Sequence, residues 1–258
     1  MCKLAFLDFD VMKYLSSLRS LVWSLLASLS LLACGGGSSN PSNAVLSDAQ
    51  GRWRGTLSDG GGSLNASTLV LPDGQTWMVY ALSGGGLRLV QGTLSVDGVH
   101  LTGAAKLYDL DTGQVAGDLN WSASATAGSQ LTLNSSIESL VVGNFTSTSF
   151  TSLNSPALVV AGVWKDSLST PNTRWSIAGD GTLSGEGIGC TVSGSVLPRS
   201  DSAAVADVRF TETCTNSVTE WVGVGLQQTT LDSSEKLRFT LIKSDETQAF
   251  VLELIKAP

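Results

Sequence analysis

From residue 51 onward the chain alternates apolar and polar positions in short runs, the two-residue period of strands that bury one face. In the first half the runs fall at 51–57, 67–71, 76–82, 87–96, 100–108, 115–124, 130–136 and 140–144. In the second they fall at 158–165, 173–178, 181–187, 189–197, 203–214, 218–227, 235–242 and 248–255. Asp59-Gly60, Asp73-Gly74, Asp97-Gly98 and Asp180-Gly181 lie between runs, and Asp-Gly pairs supply the positive φ that tight hairpins need. The stretch 143–157 is rich in Ser, Thr and Asn and carries Pro156, which a central strand does not accept. This pattern predicts an all-β chain of two antiparallel meander lobes, each of about eight strands closed as a barrel or a sandwich. The first lobe is expected at 50–144, a linker at 145–157 and the second lobe at 158–258.

The N-terminus follows a different pattern. An apolar stretch from Leu21 to Leu32, preceded by Lys13 and Arg19, ends at Cys34 and gives way to Gly35-Gly36-Gly37-Ser38-Ser39-Asn40. A basic segment followed by about a dozen apolar residues has the form of a secretory signal, too short for the roughly 20 residues of a spanning helix. Leu31-Leu32-Ala33-Cys34 resembles the lipobox of bacterial lipoproteins. The resemblance implies cleavage after Ala33 and acylation of Cys34, and Gly35 in place of Asp implies sorting to the outer membrane, on a face the sequence leaves open. More than one acyl chain would then hold the protein, since each buried CH₂ contributes about 0.8 kcal/mol and a single chain holds only reversibly. Residues 1–33 are thus expected to be a lipoprotein signal peptide and 34–49 the lipidated end of a flexible tether. Asp8 and Asp10 make a poor signal start, and Met12-Lys13-Tyr14 a more ordinary one.

Composition narrows the partners. With 22 Asp plus Glu against 15 Lys plus Arg, and a net charge of −7, the chain offers no general attraction to phosphate backbones, so nucleic acid is not an expected partner. The expected contacts are the membrane, through Cys34, and an envelope protein or a small apolar ligand.

The two halves open alike, with Gly51-Arg52-Trp53 and Gly162-Val163-Trp164, and Gly-Thr-Leu-Ser recurs at Gly55, Gly92 and Gly181. A Gly-x-Trp opening followed by an antiparallel meander resembles lipocalin-type barrels, in which the tryptophan plugs one end. Trp53, Trp164, Trp175 and Trp221 are therefore candidates for barrel plugs or pocket walls. Cys190 and Cys214 fall on consecutive predicted strands, and in an oxidising compartment they are expected to form a disulfide. Closing a loop of that length contributes roughly 3 kcal/mol. The Gly189-Cys190 … Cys214 pattern, followed by Trp221-Val222-Gly223-Val224-Gly225, also resembles uncharacterised proteobacterial lipoproteins, a likeness that implies no activity.

Catalytic inventories are sparse. His100 is the only histidine and is read as a strand-face residue, so neither a catalytic triad nor a metal cluster is expected, and no cofactor. Asp111-Thr112-Gly113 resembles the aspartic-protease triplet without its second copy, and the Asp109-x-Asp111 start lacks the later ligands of a calcium loop. Both are read as a hairpin turn. Glu186, Asp207 and Glu220 are candidates for a carboxylate pair in a barrel mouth, against an expectation that they face solvent. The leading expectation is a lipid-anchored, non-enzymatic envelope protein that binds or scaffolds. The alternatives are a carboxylate-dependent hydrolase of envelope polysaccharide and a lipocalin-like carrier of a small apolar ligand.

Overall fold

A computed structural model describes residues 45–58, 62–136, 144–154, 157–166, 174–187, 189–229 and 235–257. The expected signal peptide, Cys34 and most of the tether lie outside the described residues. The first lobe consists of β1 (Gly51–Ser58), β2 (Ser63–Val70), β3 (Gln75–Ala81), β4 (Leu87–Asp97), β5 (His100–Asp109), β6 (Gln114–Thr126), β7 (Gln130–Ser136) and β8 (Asn144–Thr151). Each strand pairs antiparallel with the next, and β8 returns to β1 to close a barrel. The second lobe repeats the plan with β9 (Gly162–Asp166), β10 (Arg174–Ile177), β11 (Thr182–Gly187), β12 (Cys190–Pro198), β13 (Val205–Cys214), β14 (Ser217–Thr229), β15 (Glu235–Lys243) and β16 (Ala249–Lys256), closing β16 on β9. The fold is all-β and the lobes are barrels. Closure pairs the edge strands that an open meander would expose.

Alternation decides which side chains fill each barrel. Trp53 and Leu57 on β1, Met78 and Tyr80 on β3, Val90 and Leu94 on β4 and Phe145 on β8 belong to the N-terminal core. Trp164, Trp175, Ile177, Leu183, Val196, Phe210, Phe239 and Leu254 belong to the C-terminal one. The same device starts both barrels. Gly51 and Gly162 stand at φ 146° and 144°, outside the range side-chain-bearing residues favour, and turn the chain into the first strand. Two residues on, Trp53 and Trp164 are fully buried, and each indole Nε1–H donates to the carbonyl four residues earlier, of Ala49 and Val160, at 2.8 Å. The burial of an indole therefore leaves no polar atom unpaired.

Two boundaries differ from the sequence reading. The expected linker at 145–157 begins inside β8, where Phe145 and Ser147 are buried and Thr146 and Thr148 alternate with them. Threonine is β-branched and suits a pleated, half-buried strand, so a Ser/Thr-rich composition disguised a closing strand as a connector. The expected eighth strand at 140–144 meets β8 only at Asn144, and 140–143 lie outside the described residues. The tether is also shorter than expected at its far end. Residues Leu46–Ala49 form a short helix, α1, whose buried Ala49 and partly buried Leu46 pack on the N-terminal core.

The barrels join through their outer faces. Leu69, Leu71, Trp77, Leu89 and Tyr108 meet Val205, Val224, Ile242 and Ala249 in a third apolar cluster. Main-chain bonds rivet its edges. Ala249 N–H donates to Gly113 O at 2.9 Å, Val115 N–H to Thr247 O at 3.2 Å and Ala204 N–H to Leu153 O at 2.7 Å. Arg199 reaches across to Asp73 at 2.9 Å while also binding Asp201 and Asp207, at 3.0 and 2.9 Å. The Asp201 hydrogen bond, partly offset by burial, and those to Asp73 hold the guanidinium charged above its ordinary range. Tyr108, fully buried in the seam, donates its hydroxyl to Glu246 O at 3.3 Å. Burial and the nearby Glu246 carboxylate push its pKa up to about 12.

Candidate functional site

The C-terminal barrel is stoppered at one end and open at the other. Trp164 fills the closed end, with the Lys256 ammonium 5.7 Å from its ring centroid. Toward the open end lies a cavity of ≈ 350 Å³ walled by Trp175, Val192, Phe210, Phe250 and Leu252, with Asp166 and Glu212 among its polar groups. Trp175 and Phe210 meet edge to face, their centroids 5.5 Å apart. Trp221 and Phe250 do the same at 4.5 Å beside them. Such T-shaped pairs are worth about 0.5–1.5 kcal/mol beyond their burial, which fixes the walls before any ligand arrives.

Local sequence makes the space. Gly185 lies opposite Trp175 on β11, and an added Cβ there would sit 3.4 Å from the indole ring. Gly194 lies opposite Phe210 on β12, where an added Cβ would be 2.6 Å from the Phe210 Cβ. Both rings can lie against backbone because those two positions carry no side chain.

The rim is stapled. Cys190 and Cys214 are directly opposite on β12 and β13 and form a disulfide, as the sequence led us to expect. Because both point toward the barrel axis, strand alternation turns Phe210 and Glu212 inward as well. A Glu212 carboxylate oxygen lies within 4.8 Å of both sulfurs and accepts a hydrogen bond from Trp221 Nε1–H at 3.3 Å. Sulfurs joined to each other are not thiolates, so this cluster in its oxidised form is not a metal site.

The four candidate tryptophans therefore separate. Trp53 and Trp164 are plugs, Trp175 is a cavity wall, and Trp221 braces Phe250 and Glu212 at its border. Phe210, Glu212 and Phe250 were missed as candidates in the sequence. Their signal was parity, since Phe210 and Glu212 stand four and two residues before Cys214 on one strand.

The proposed carboxylate trio does not assemble here. Glu186, Asp207 and Glu220 are exposed, each one residue out of phase with an inward neighbour, and none lines the cavity. Asp207 instead binds Arg199. His100 is likewise exposed, beside the turn at Gly98. Residues 109–113 form a turn, with Asp109 Oδ1 accepting from Asp111 N–H at 2.9 Å and Arg88 paired to Asp109 at 3.0 Å.

Met78, Val90, Leu94, Leu119, Trp121 and Leu131 belong to the core of the N-terminal barrel. Comparison with protein-family models, with curated proteins and with solved structures finds no match.

Proposed function

We propose that this chain is a lipid-anchored envelope protein that binds a small, largely apolar ligand in the open end of its C-terminal barrel. The observation that carries the reading is the ≈ 350 Å³ cavity with Trp175, Phe210 and Phe250 on its walls. It falls within the roughly 300–1,000 Å³ of small-molecule sites, which combine apolar walls with a few placed polar groups. Glu212, oriented by the Trp221 indole, and Asp166 would receive a donor or cationic group on an otherwise apolar molecule. The lipobox at Leu31 to Cys34 and the glycine-serine tether behind it support the anchoring half of the reading. In that arrangement the N-terminal barrel is the support and the C-terminal barrel the receptor.

The test is an intact native mass of the protein extracted in mild detergent from a host with two membranes. The reading expects a chain starting at Cys34 with acyl chains, two protons fewer for the disulfide, and extra retained mass that is lost in F210W, which fills the cavity. A chain without acyl groups overturns the anchor. Wild-type protein that carries no ligand, and that fails to quench Trp175 fluorescence with added apolar amines, overturns the receptor.

A further inference from the structure

A second site lies in the seam, away from the barrel mouth and independent of it. Between the outer faces of β1–β3 and of β14–β15 there is a cleft with an internal volume of ≈ 30 Å³, lined by Arg52, Leu69, Trp77, Val224, Arg238 and Thr240 among others. That is room for about two water-sized groups. Trp77 is 5% exposed, and its Nε1–H has no hydrogen-bond partner among the described residues. An unmet buried N–H costs about 1–3 kcal/mol, so its retention at the wall of a cleft calls for an acceptor.

The charge in the cleft has one sign. Arg52 is half-buried, and no carboxylate among the described residues lies within ion-pair range of it. Arg238 stands nearby but is already engaged with Glu253 through both Nε and Nη2. Burial, then Arg54, then Arg238 lower the Arg52 pKa from its ordinary value, so the folded chain holds this charge at a cost. The seam thus holds an unmatched guanidinium fork and an orphaned indole donor around a space of about two heavy atoms.

We propose that this cleft binds the head of a small oxyanion, two oxygens of a carboxylate or phosphate, with the Arg52 guanidinium and Trp77 Nε1–H as its donors. Arginine offers a planar pair of N–H groups that matches two oxygens of one acid, and the indole N–H supplies a third donor. Val224 and Leu226 line the site from the C-terminal lobe, while both donors belong to the N-terminal one. The remainder of any larger ligand would face solvent.

The experiment uses the full chain in detergent micelles with its tryptophan indoles labelled with nitrogen-15. The Trp77 resonance is identified by its absence in W77F. Inorganic phosphate, sulfate and acetate are titrated separately at constant ionic strength, with chloride as the balancing salt. The expected result is a saturable shift of the Trp77 indole resonance by at least one of the three oxyanions. R52Q is expected to weaken that binding by about tenfold, since it removes the charge and the fork, with R52K intermediate. Because Arg52 has no carboxylate to lose, R52Q should remain folded, and its unchanged Trp53 and Trp164 resonances check this. Saturation by acetate alone identifies a carboxylate ligand, and saturation by phosphate alone a phosphate-bearing one. A Trp77 resonance that none of the three moves, or that chloride moves equally, overturns the proposal, as does full binding by folded R52Q.

Discussion

Replacing Trp164 with phenylalanine tests whether an indole plug, rather than general hydrophobicity, closes the C-terminal barrel. Phenylalanine keeps an aromatic ring but removes the Nε1–H that donates to Val160 O at 2.8 Å, and it leaves a gap where the second ring stood. The gap is about 40 Å³, and at roughly 24 cal/mol per Å³ it costs about 1 kcal/mol. The abandoned carbonyl, on the buried residue Val160, costs about 1–3 kcal/mol more. The expected loss is therefore about 2–4 kcal/mol, a large part of the stability of an ordinary domain. Equilibrium denaturation in guanidinium, followed by tryptophan fluorescence and by far-ultraviolet circular dichroism, reads it as a fall in midpoint at constant slope. W221F is the control. Its indole donates to Glu212 at the open end, where water can replace the hydrogen bond, so its cost should be the gap term alone, about 1 kcal/mol. If W164F costs no more than W221F, the hydrogen-bonded plug is not what closes the barrel.

Two further predictions concern the rim and the seam. Converting Cys190 and Cys214 together to serine releases a crosslink between residues 24 apart, and by the chain-entropy estimate it should lower stability by roughly 3 kcal/mol, read from the same denaturation curves with a thiol count confirming the change. A loss under about 1 kcal/mol would mean that paired β12 and β13 already hold the rim without the bond. Tyr108 has its pKa raised in the fold to about 12, so it contributes stability that is complete below its ordinary value of about 10 and disappears as pH rises through 12. Absorbance at the tyrosinate band should therefore show a late titration phase, absent in Y108F, and the stability difference between wild type and Y108F should shrink over that window. Ionisation of Tyr108 near pH 10 would mean that water reaches the seam.

Much of this architecture can be read along the chain, and its limits have physical causes. Alternation at 87–96 or 203–214 marks strands because one face of each is core, and Gly-x-Trp marks both plugs because the glycine turn and the buried indole are needed together. The disulfide follows from two cysteines on adjacent strands. The seam was harder to see. Trp77, Met78, Val79 and Tyr80 are apolar in succession because β3 buries both faces, one in its own barrel and one against its neighbour, and such a run does not say what covers the second face. The cavity was harder still, since an aromatic that walls a space has the same sequence signature as one that fills it. Phe210 and Phe239 both lie inward and each faces a glycine, Gly194 and Gly225, so the local pattern does not mark which of the two walls the space.

The shared wall between the lobes constrains how this protein can vary. Along β14, Trp221, Gly223 and Gly225 face the interior of one barrel while Val222, Val224 and Leu226 face the other barrel's exterior. Exchanging one aliphatic residue for another on either side changes a local fit. Adding or deleting a single residue inverts the whole strand, driving the aliphatic row into the aromatic cavity and the glycines into the seam. Length in β13–β15 should accordingly be held far more strictly across descendants of this gene than identity, and insertions should accumulate in the hairpin turns, where no such inversion follows.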